Sequence, residues 1–325
     1  MMHLKEKIFQ SQSEADFEKL ALEIYDYQSE HCPVYKEYLG HILTENREKP
    51  ESIRDIPFLP ISFFKTREVI SKDQSSEIVF KSSGTGGQRS KHFVSNIDLY
   101  EKAFNSGYQE LIGNPEEQVI LALLPNYQEQ GESSLIYMVD HLIKRTNSSM
   151  SGYFLSNHKE LIETYNKAIA RNKEVIIFGV SYALLDLASL KPNLSHARII
   201  ETGGMKGRRK ELTKEELHNE LKQGLNTEKI SSEYGMTELL SQGYSLKNGV
   251  FETTSTMKIL IREVNDPFHY VEDGKTGGIN VIDLANLNSC SFIATQDLGR
   301  ITPTGFQIMG RFDHSDIRGC NLLVQ

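Results

Sequence analysis

The chain has 325 residues, of which 38% are hydrophobic and 25% are charged, and its formal net charge at pH 7 is −8. This length is sufficient to bury a large core and favours two or three packed subdomains over one. The acidic balance argues against a surface for nucleic acid or for an anionic membrane, since both require a basic patch.

Targeting and membrane signals are missing from the sequence. Residues 1–7 lack the apolar core of a signal peptide, and the longest apolar runs, such as residues 119–124, are too short to span a bilayer. We therefore expect a cytoplasmic protein without a membrane span. The three cysteines lie far apart and match no metal-ligand spacing, which indicates reduced thiols.

The first part of the chain has a mostly helical pattern over residues 9–43. Its apolar residues recur on one face and are expected in the core: Phe17, Leu20, Ala21, Ile24 and Tyr25. Pro57 and Pro60 then favour an extended segment that packs on the next part of the chain. These features predict a helical N-terminal segment over residues 1–76.

Short β-like runs alternate with helical stretches in the middle of the chain. The runs cover residues 77–81, 119–124, 174–180 and 197–201. This alternation predicts an α/β core over residues 77–228, built on a doubly wound sheet that binds ligands at the carboxyl ends of its strands. Polar or glycine-rich loops follow the runs, and we expect them to form one site: residues 82–91, 125–127, 179–181 and 202–204.

The last part, residues 229–325, changes character. Further β-like runs cover residues 257–264, 278–283, 291–295 and 305–309, and turn sequences such as Asn248-Gly249 and Asp273-Gly274 separate them. This pattern predicts a β-rich subdomain.

The most informative segment is residues 82–91, Ser-Ser-Gly-Thr-Gly-Gly-Gln-Arg-Ser-Lys. Its glycines allow a sharp turn that brings backbone N–H groups to an anion, while its hydroxyls and its two cations, Arg89 and Lys91, add donors and positive charge. The segment predicts a phosphate-binding loop for a nucleotide polyphosphate, although such residues also form ordinary turns. It matches neither a Walker A loop nor a dinucleotide-binding fingerprint.

Three further motifs follow this loop in chain order. They are Glu-Thr-Gly-Gly at residues 201–204, Glu-Tyr-Gly-Met-Thr-Glu at 233–238, and Thr-Gln-Asp-Leu-Gly-Arg at 295–300 with Gly-Arg-Phe-Asp at 310–313. This order resembles the adenylate-forming superfamily, which activates carboxylic acids with ATP as acyl-AMP. Over nearly its whole length the chain is similar to the LuxE-type acyl-protein synthetases, through residues 57–65, 84–88, 124–138 and 310–321.

The resemblance implies a fold like the N-terminal domain of adenylate-forming enzymes, with layered α/β sheets and a β-rich subdomain. It also implies roles for particular residues. Thr237 would contact the α-phosphate, and Glu238 would hold Mg²⁺, which prefers oxygen ligands. The other phosphate contacts would come from Ser82, Ser83, Gly84, Thr85, Gly87, Arg89 and Lys91.

The rest of the nucleotide site follows from the same resemblance. Asp297 would accept hydrogen bonds from the ribose hydroxyls. Arg300 and Arg311 would lie near the ribose or the phosphates. The adenine would be flanked by Gly203, Gly204 and Tyr234, with Gly235 beside them.

The sequence departs from the superfamily pattern in two places. Gly86 and Arg89-Ser90 stand where a second Thr and a Pro-Lys pair are usual, so that Lys91 or Arg89 would supply the phosphate cation. Typical members continue into a mobile C-terminal domain with a catalytic lysine, whereas this sequence ends at Gln325. We therefore expect another cation or a partner protein to replace that lysine.

The resemblance also implies that Cys320 accepts the acyl group before a reductase partner receives it. Adjacent Arg318 would raise the thiolate fraction, and an inert thiol is the alternative. Cys32 and Cys290 are expected to be structural. Residues 125–127 and 131–138 either line a channel for the carboxylate or form a loop and a core helix.

The sequence therefore predicts an enzyme that uses ATP and Mg²⁺ to activate a carboxylic acid, a fatty acid by resemblance, and then transfers the acyl group to a protein thiol. One alternative is an acid–thiol ligase that uses coenzyme A or a carrier protein. The other is a noncatalytic nucleotide-binding subunit or regulator.

Overall fold

The computed structural model describes residues 2–10, 13–43, 49–83, 87–125, 131–203 and 212–312. Several expected site residues lie outside this part of the chain: Gly84, Thr85, Gly204 and Cys320.

Helices dominate the N-terminal part, as the periodic pattern predicts. They are α1 (Met2–Ile8), α2 (Glu14–His31) and α3 (Pro33–Ile42). The predicted apolar face of α2 is buried. Gln28 of the same helix donates hydrogen bonds to the carbonyl oxygens of Asn286 and Leu287, at 2.9 and 3.0 Å. These hydrogen bonds connect α2 to the last third of the chain.

The remaining helices lie between or beside the strands. They are α4 (Phe63–Thr66), α5 (Ile97–Leu111), α6 (Ser134–Arg145), α7 (His158–Ala170), α8 (Ser181–Ser189) and α9 (Lys214–Leu225). In the described residues no helix combines the length and the apolar composition that a membrane span needs.

The strands include all of the β-like runs that the sequence predicts. They are β1 (Leu59–Pro60), β2 (Ile78–Lys81), β3 (Lys91–Val94), β4 (Gln118–Leu123), β5 (Gly152–Tyr153), β6 (Glu174–Val180), β7 (Ala197–Thr202), β8 (Ile230–Tyr234), β9 (Gly243–Ser245), β10 (Val250–Thr253), β11 (Met257–Arg262), β12 (Gly277–Asp283), β13 (Phe292–Thr302) and β14 (Gly305–Arg311).

Twelve of these strands form one sheet, in the order β11-β12-β13-β14-β10-β9-β8-β7-β6-β4-β5, with β1 paired to β13. The half from β5 to β8 is parallel, and the half from β8 to β11 is antiparallel. Strand β4 is buried along its whole length, which explains why its sequence is continuously apolar after Gln118.

The large sheet contains strands from both sides of the subdomain boundary expected at residue 229. That residue lies directly before β8, which pairs with β7 on one side and with β9 on the other. The division into an α/β core and a β-rich subdomain stays a prediction.

The glycine loop belongs to a separate element. Within the described part of the chain, strand β2 pairs with β3 alone, as an antiparallel hairpin outside the large sheet, and the loop connects the two in sequence. The sequence pattern predicts this strand but does not show its partner, because an isolated β-like run carries no information on what it pairs with.

Candidate active site

A cleft of about 620 Å³ lies at the carboxyl edge of the parallel strands. Residues at the ends of four adjacent strands line it: Leu124 and Pro125 after β4, Val180 of β6, Gly203 after β7, and Gly235 after β8. Parallel strands present their carboxyl ends at one edge, so loops that are distant in sequence meet there. The structure brings together the loops that the sequence analysis assigned to one site, as far as it describes them.

The glycine loop contributes Ser83 and Arg89 to the cleft. Ser82 instead closes the base of the loop: its backbone N–H donates to the Ser90 carbonyl, and its hydroxyl accepts from the Ser90 N–H, both at 3.0 Å. The Arg89 side chain also donates to the Ser82 carbonyl. Gly87, with φ of 122°, has a backbone conformation that favours glycine.

A lysine that the sequence analysis missed stands at the mouth of this cleft. Lys81, the last residue of β2, forms an ion pair with Glu132, and Arg89 Nη1 lies 3.6 Å from the other carboxylate oxygen. The hydrogen bond from Lys81 lowers the pKa of the Glu132 carboxyl. Lys91 pairs with Lys81 across the hairpin but is exposed and does not line the cleft.

Thr237 lines the cleft, and a buried histidine supports it. His92 Nδ1 donates to the Thr237 carbonyl oxygen over 2.9 Å. The histidine is almost fully buried, and this burial lowers its pKa to about 4. Since a carbonyl oxygen only accepts hydrogen bonds, Nδ1 carries the proton of this neutral ring.

Glu238 follows Thr237 but is buried and does not line the cleft. Burial raises the pKa of its carboxyl, while a hydrogen bond from Ser90 acts in the opposite direction. Its backbone carbonyl accepts from Asn286 Nδ2 at 2.8 Å. Glu238 is therefore held between the glycine-loop hairpin and the connection from β12 to β13.

Three of the expected nucleotide residues meet at a second point on the sheet. Tyr234 donates its hydroxyl to Asp297 Oδ2 over 3.0 Å, and Arg311 Nε donates to Oδ1 over 2.8 Å. The Asp297 carboxylate raises the pKa of the Arg311 guanidinium. Arg300 is not part of this group, because its Nε donates to Gln307 across the β13–β14 pair.

A buried charge network lies beneath Gly203. Glu201 forms an ion pair with Lys214 at 2.5 Å, and His218 Nε2 lies 3.4 Å from the same oxygen. Burial by itself would raise the pKa of Glu201, but Lys214, His218 and Ser232 together lower it to about 2. Ser181 joins this network to the cleft.

The Ser181 hydroxyl lies 3.3 Å from Glu201 Oε2 and 3.2 Å from the Gly203 carbonyl oxygen. Gly203 has φ of 68°, in the left-handed region, where a side chain would strain the backbone. The network therefore fixes a backbone turn that only glycine adopts easily.

A second buried acid, Glu233, belongs to the cleft itself. The Thr202 hydroxyl donates to its Oε2 atom, and burial raises the pKa of its carboxyl to about 7. A side chain at Gly235 would collide with Glu233 Oε1. Glu233 belongs to the motif at residues 233–238, but the sequence predicts no role for it, because its burial depends on strands that only the fold brings together.

Both described cysteines are buried free thiols. Burial raises the pKa of Cys32 to about 11, and it also raises the pKa of Cys290. Their burial agrees with the expectation that they are structural.

Nearly the whole chain matches a protein family model. A family model described as acyl-protein synthetase, LuxE, matches residues 6–325. The chain belongs to the LuxE acyl-protein synthetase family. No curated protein matches it.

Solved structures show the same fold for this LuxE-family chain. ATP-bound MatB from Rhodopseudomonas palustris is 17% identical, with a TM-score of 0.54 over 72% of this chain and 47% of MatB. An open conformation of 2-hydroxyisobutyryl-CoA ligase with 2-HIB-AMP and CoA is 13% identical, with a TM-score of 0.65 over 94% of this chain and 72% of the ligase.

The same ligase in the postadenylation state with R3-HIB-AMP is 11% identical, with a TM-score of 0.66 over 94% of this chain and 69% of the ligase. The LuxE-family chain thus spans about half of MatB and about seven-tenths of this ligase. The expected likeness to adenylate-forming enzymes is confirmed at the level of the fold.

Proposed function

We propose that this LuxE-family chain activates a carboxylic acid with ATP, forms acyl-AMP and releases pyrophosphate. One observation carries the proposal: a single cleft joins Ser83 and Arg89 of the glycine loop, Gly203 after β7 and Thr237 after β8. Family membership and the fold shared with ligases that hold ATP or an acyl-AMP support it.

The adenylation step requires two anions to approach each other. An oxygen of the substrate carboxylate attacks the α-phosphorus of ATP, and the bond from that phosphorus to the pyrophosphate oxygen breaks. Catalysis then depends on charge neutralisation and positioning. Arg89 and Lys81 supply positive charge at the cleft mouth, while Ser83 and Thr237 supply hydroxyl donors.

The nucleoside would bind between the cleft and the Asp297 group. Tyr234 and Arg311 each use one lone pair of a different Asp297 oxygen, so the carboxylate still has acceptor capacity for the ribose hydroxyls. Gly203 lets the backbone approach the adenine closely, because even an added Cβ atom there would meet only Val180, at 4.0 Å.

Mg²⁺ is the metal that the family resemblance implies, with Glu238 as its ligand. The described residues contain no cluster of three His, Cys, Asp or Glu side chains for a metal. A Mg²⁺ ion bound to ATP needs only one or two protein carboxylates beside the phosphate oxygens. The carboxyl of Glu238 has the right chemistry, but it is buried and does not line the cleft, so the side chain would have to turn towards the phosphates to hold the ion. When bound, the ion would neutralise phosphate charge.

The second step would transfer the acyl group to a thiol. A thiolate attacks the acyl carbonyl carbon, the bond from that carbon to the AMP oxygen breaks, and AMP leaves. Cys32 and Cys290 are buried with raised pKa values and are poor nucleophiles. We assign the acceptor role to Cys320, from which a reductase or carrier partner would take the acyl group, and a fatty acid is the substrate that the family resemblance suggests.

A specific observation also favours a second candidate, direct acyl transfer to coenzyme A. The 2-hydroxyisobutyryl-CoA ligase whose fold covers 94% of this chain was solved with CoA. Acyl transfer to coenzyme A by a Cys320→Ser variant would favour this candidate over the protein thiol.

ATP–pyrophosphate exchange tests the proposed function, because it reports acyl-AMP formation without requiring the acyl acceptor. The full chain is incubated with Mg²⁺, labelled pyrophosphate and a panel of fatty, hydroxy, amino and aromatic acids. Acid-dependent exchange is expected, and its loss in a Thr237→Val variant would connect it to this cleft. ATP binding without exchange for any acid would contradict the proposal.

A further inference from the structure

The cleft has two chemically different ends. Its mouth carries Lys81, Arg89 and Glu132, which are 31%, 42% and 53% exposed. Its inner end carries Glu233, Thr202 and Gln242, which are only 7%, 4% and 4% exposed. Charges at the mouth suit ATP phosphates, whereas the proposed adenylation step assigns no role to the inner polar group.

The cleft also has an apolar lining. Leu124, Met138 and Val180 line it and are buried. A hydrocarbon chain suits this apolar lining, because removing apolar surface from water is favourable. A chain that continued to the inner end would meet polar atoms instead of more hydrocarbon.

Contacts within the protein satisfy only part of the hydrogen-bonding capacity of the inner polar group. The Thr202 hydroxyl donates to Glu233 Oε2, which leaves Oε1 as a further acceptor. Gln242 donates Nε2 to the Leu240 carbonyl at 3.2 Å, while its Oε1 atom is buried without a hydrogen-bond partner in the described structure. Both unused atoms are acceptors.

The side chains that carry these two acceptors are neighbours. A Cβ atom added at Gly235 would meet Glu233 Oε1 and would lie 3.3 Å from Gln242 Cγ. In the described structure Gln242 Oε1 is a buried polar atom without a partner, which is costly, and a ligand that supplied a donor would remove that cost.

We infer that the acid substrate carries a hydroxyl or amino group, separated from its carboxylate by hydrocarbon, which donates hydrogen bonds to Glu233 and Gln242. This inference rests on the proposed function. It makes Glu233 a specificity-determining residue. Burial raises the pKa of its carboxyl to about 7, so near neutral pH the site accepts a neutral hydroxyl or pairs with an ammonium group.

Matched sets of acids test the inference on the unmodified chain. Each set contains an alkanoic acid and its derivatives with a hydroxyl or an amino group at successive positions, and kcat/KM is measured by ATP–pyrophosphate exchange. A site built around a polar group discriminates against the analogue that lacks it, so at least one derivative should exceed its parent acid by roughly tenfold or more.

The outcomes distinguish this inference from the proposed function. Exchange in which every plain alkanoic acid equals or exceeds its derivatives would overturn the inference and leave the proposed function intact. No exchange with any acid would overturn both.

Two variants locate the preference at Glu233. Glu233→Met removes both carboxylate oxygens at similar size and should lower the derivative-to-parent ratio by roughly tenfold, whereas Glu132→Met at the cleft mouth should leave that ratio unchanged. Glu233→Gln should abolish a preference for an amine, which needs the negative charge, and keep most of a preference for a hydroxyl. An unchanged ratio in a folded Glu233→Met variant would overturn the inference.

Discussion

The Tyr234 hydroxyl donates a hydrogen bond to Asp297 Oδ2 over 3.0 Å, although 63 positions separate the two residues in sequence. The bond joins β8, in the middle of the large sheet, to β13 in its antiparallel half. It fixes one oxygen of the carboxylate to which we assign the ribose, while Arg311 fixes the other.

The first prediction concerns this bond. Tyr234→Phe removes the donor to a buried carboxylate, so Asp297 is less well oriented for the ribose. We expect KM for ATP to rise about tenfold, since hydrogen bonds to charged groups contribute about 1.5–3 kcal/mol. Tyr244→Phe is the matched control, because the Tyr244 hydroxyl is buried without a partner in the described structure, and it should leave this KM unchanged.

The second prediction concerns the network beneath Gly203. Glu201→Gln leaves Lys214 without its buried partner and should lower the free energy of unfolding by about 2 kcal/mol, less than for a fully buried pair because Lys214 is partly exposed. Chemical denaturation measures this change. Glu228→Gln breaks an exposed pair with Lys222 and should change the free energy by less than about 0.5 kcal/mol. Equal effects of the two substitutions would contradict the account.

The third prediction is a pH dependence that His92 causes. Its pKa is about 4 in the folded protein and ordinarily 6.5, so between these values the unfolded chain binds the proton and the folded protein does not. Stability should therefore fall as the pH decreases from 6.5 towards 4.

The His92 effect can be isolated by comparison with a His92→Gln variant. Relative to that variant, the wild type should lose about 2 kcal/mol of unfolding free energy between pH 7 and pH 5. Parallel stability curves for the two proteins over this range would show that His92 is not buried in its neutral form.

The fourth prediction separates the three cysteines. Cys320→Ser should abolish a hydroxylamine-sensitive acyl group on the protein and spare ATP–pyrophosphate exchange, because the thiol acts after acyl-AMP has formed. Cys290→Ala is the control and should still be acylated, since Cys290 is fully buried. Persistence of the acylated species in the Cys320→Ser variant would refute the assignment.

Much of the sheet is predictable from the sequence, because strands that are buried on both faces have continuous apolar sequences. Residues 175–180 read as a continuous apolar run, and β6 is buried at all of these positions, while Glu174 at its start is exposed. The common edge of the loops is predictable too, because parallel strands end at the same side. The partner of β2 is not predictable, since a β-like pattern does not specify what pairs with it.

The site is predictable only where a motif carries it. Tyr234, Asp297 and Arg311 come from motifs that the family resemblance connects, and the structure brings them together. Lys81 and Glu233 were missed as site residues because their significance depends on Glu132 and Thr202, which are distant in sequence. No local pattern encodes such contacts.

An oxygen-labelling experiment tests acyl-AMP formation most directly. A substrate acid labelled with ¹⁸O in its carboxylate is incubated with the chain, ATP and Mg²⁺, hydroxylamine serves as the acyl acceptor, and the products are analysed by mass spectrometry. Attack of the carboxylate on the α-phosphorus predicts one ¹⁸O atom in the AMP. Label in inorganic phosphate with formation of ADP, or AMP without label, would contradict the account.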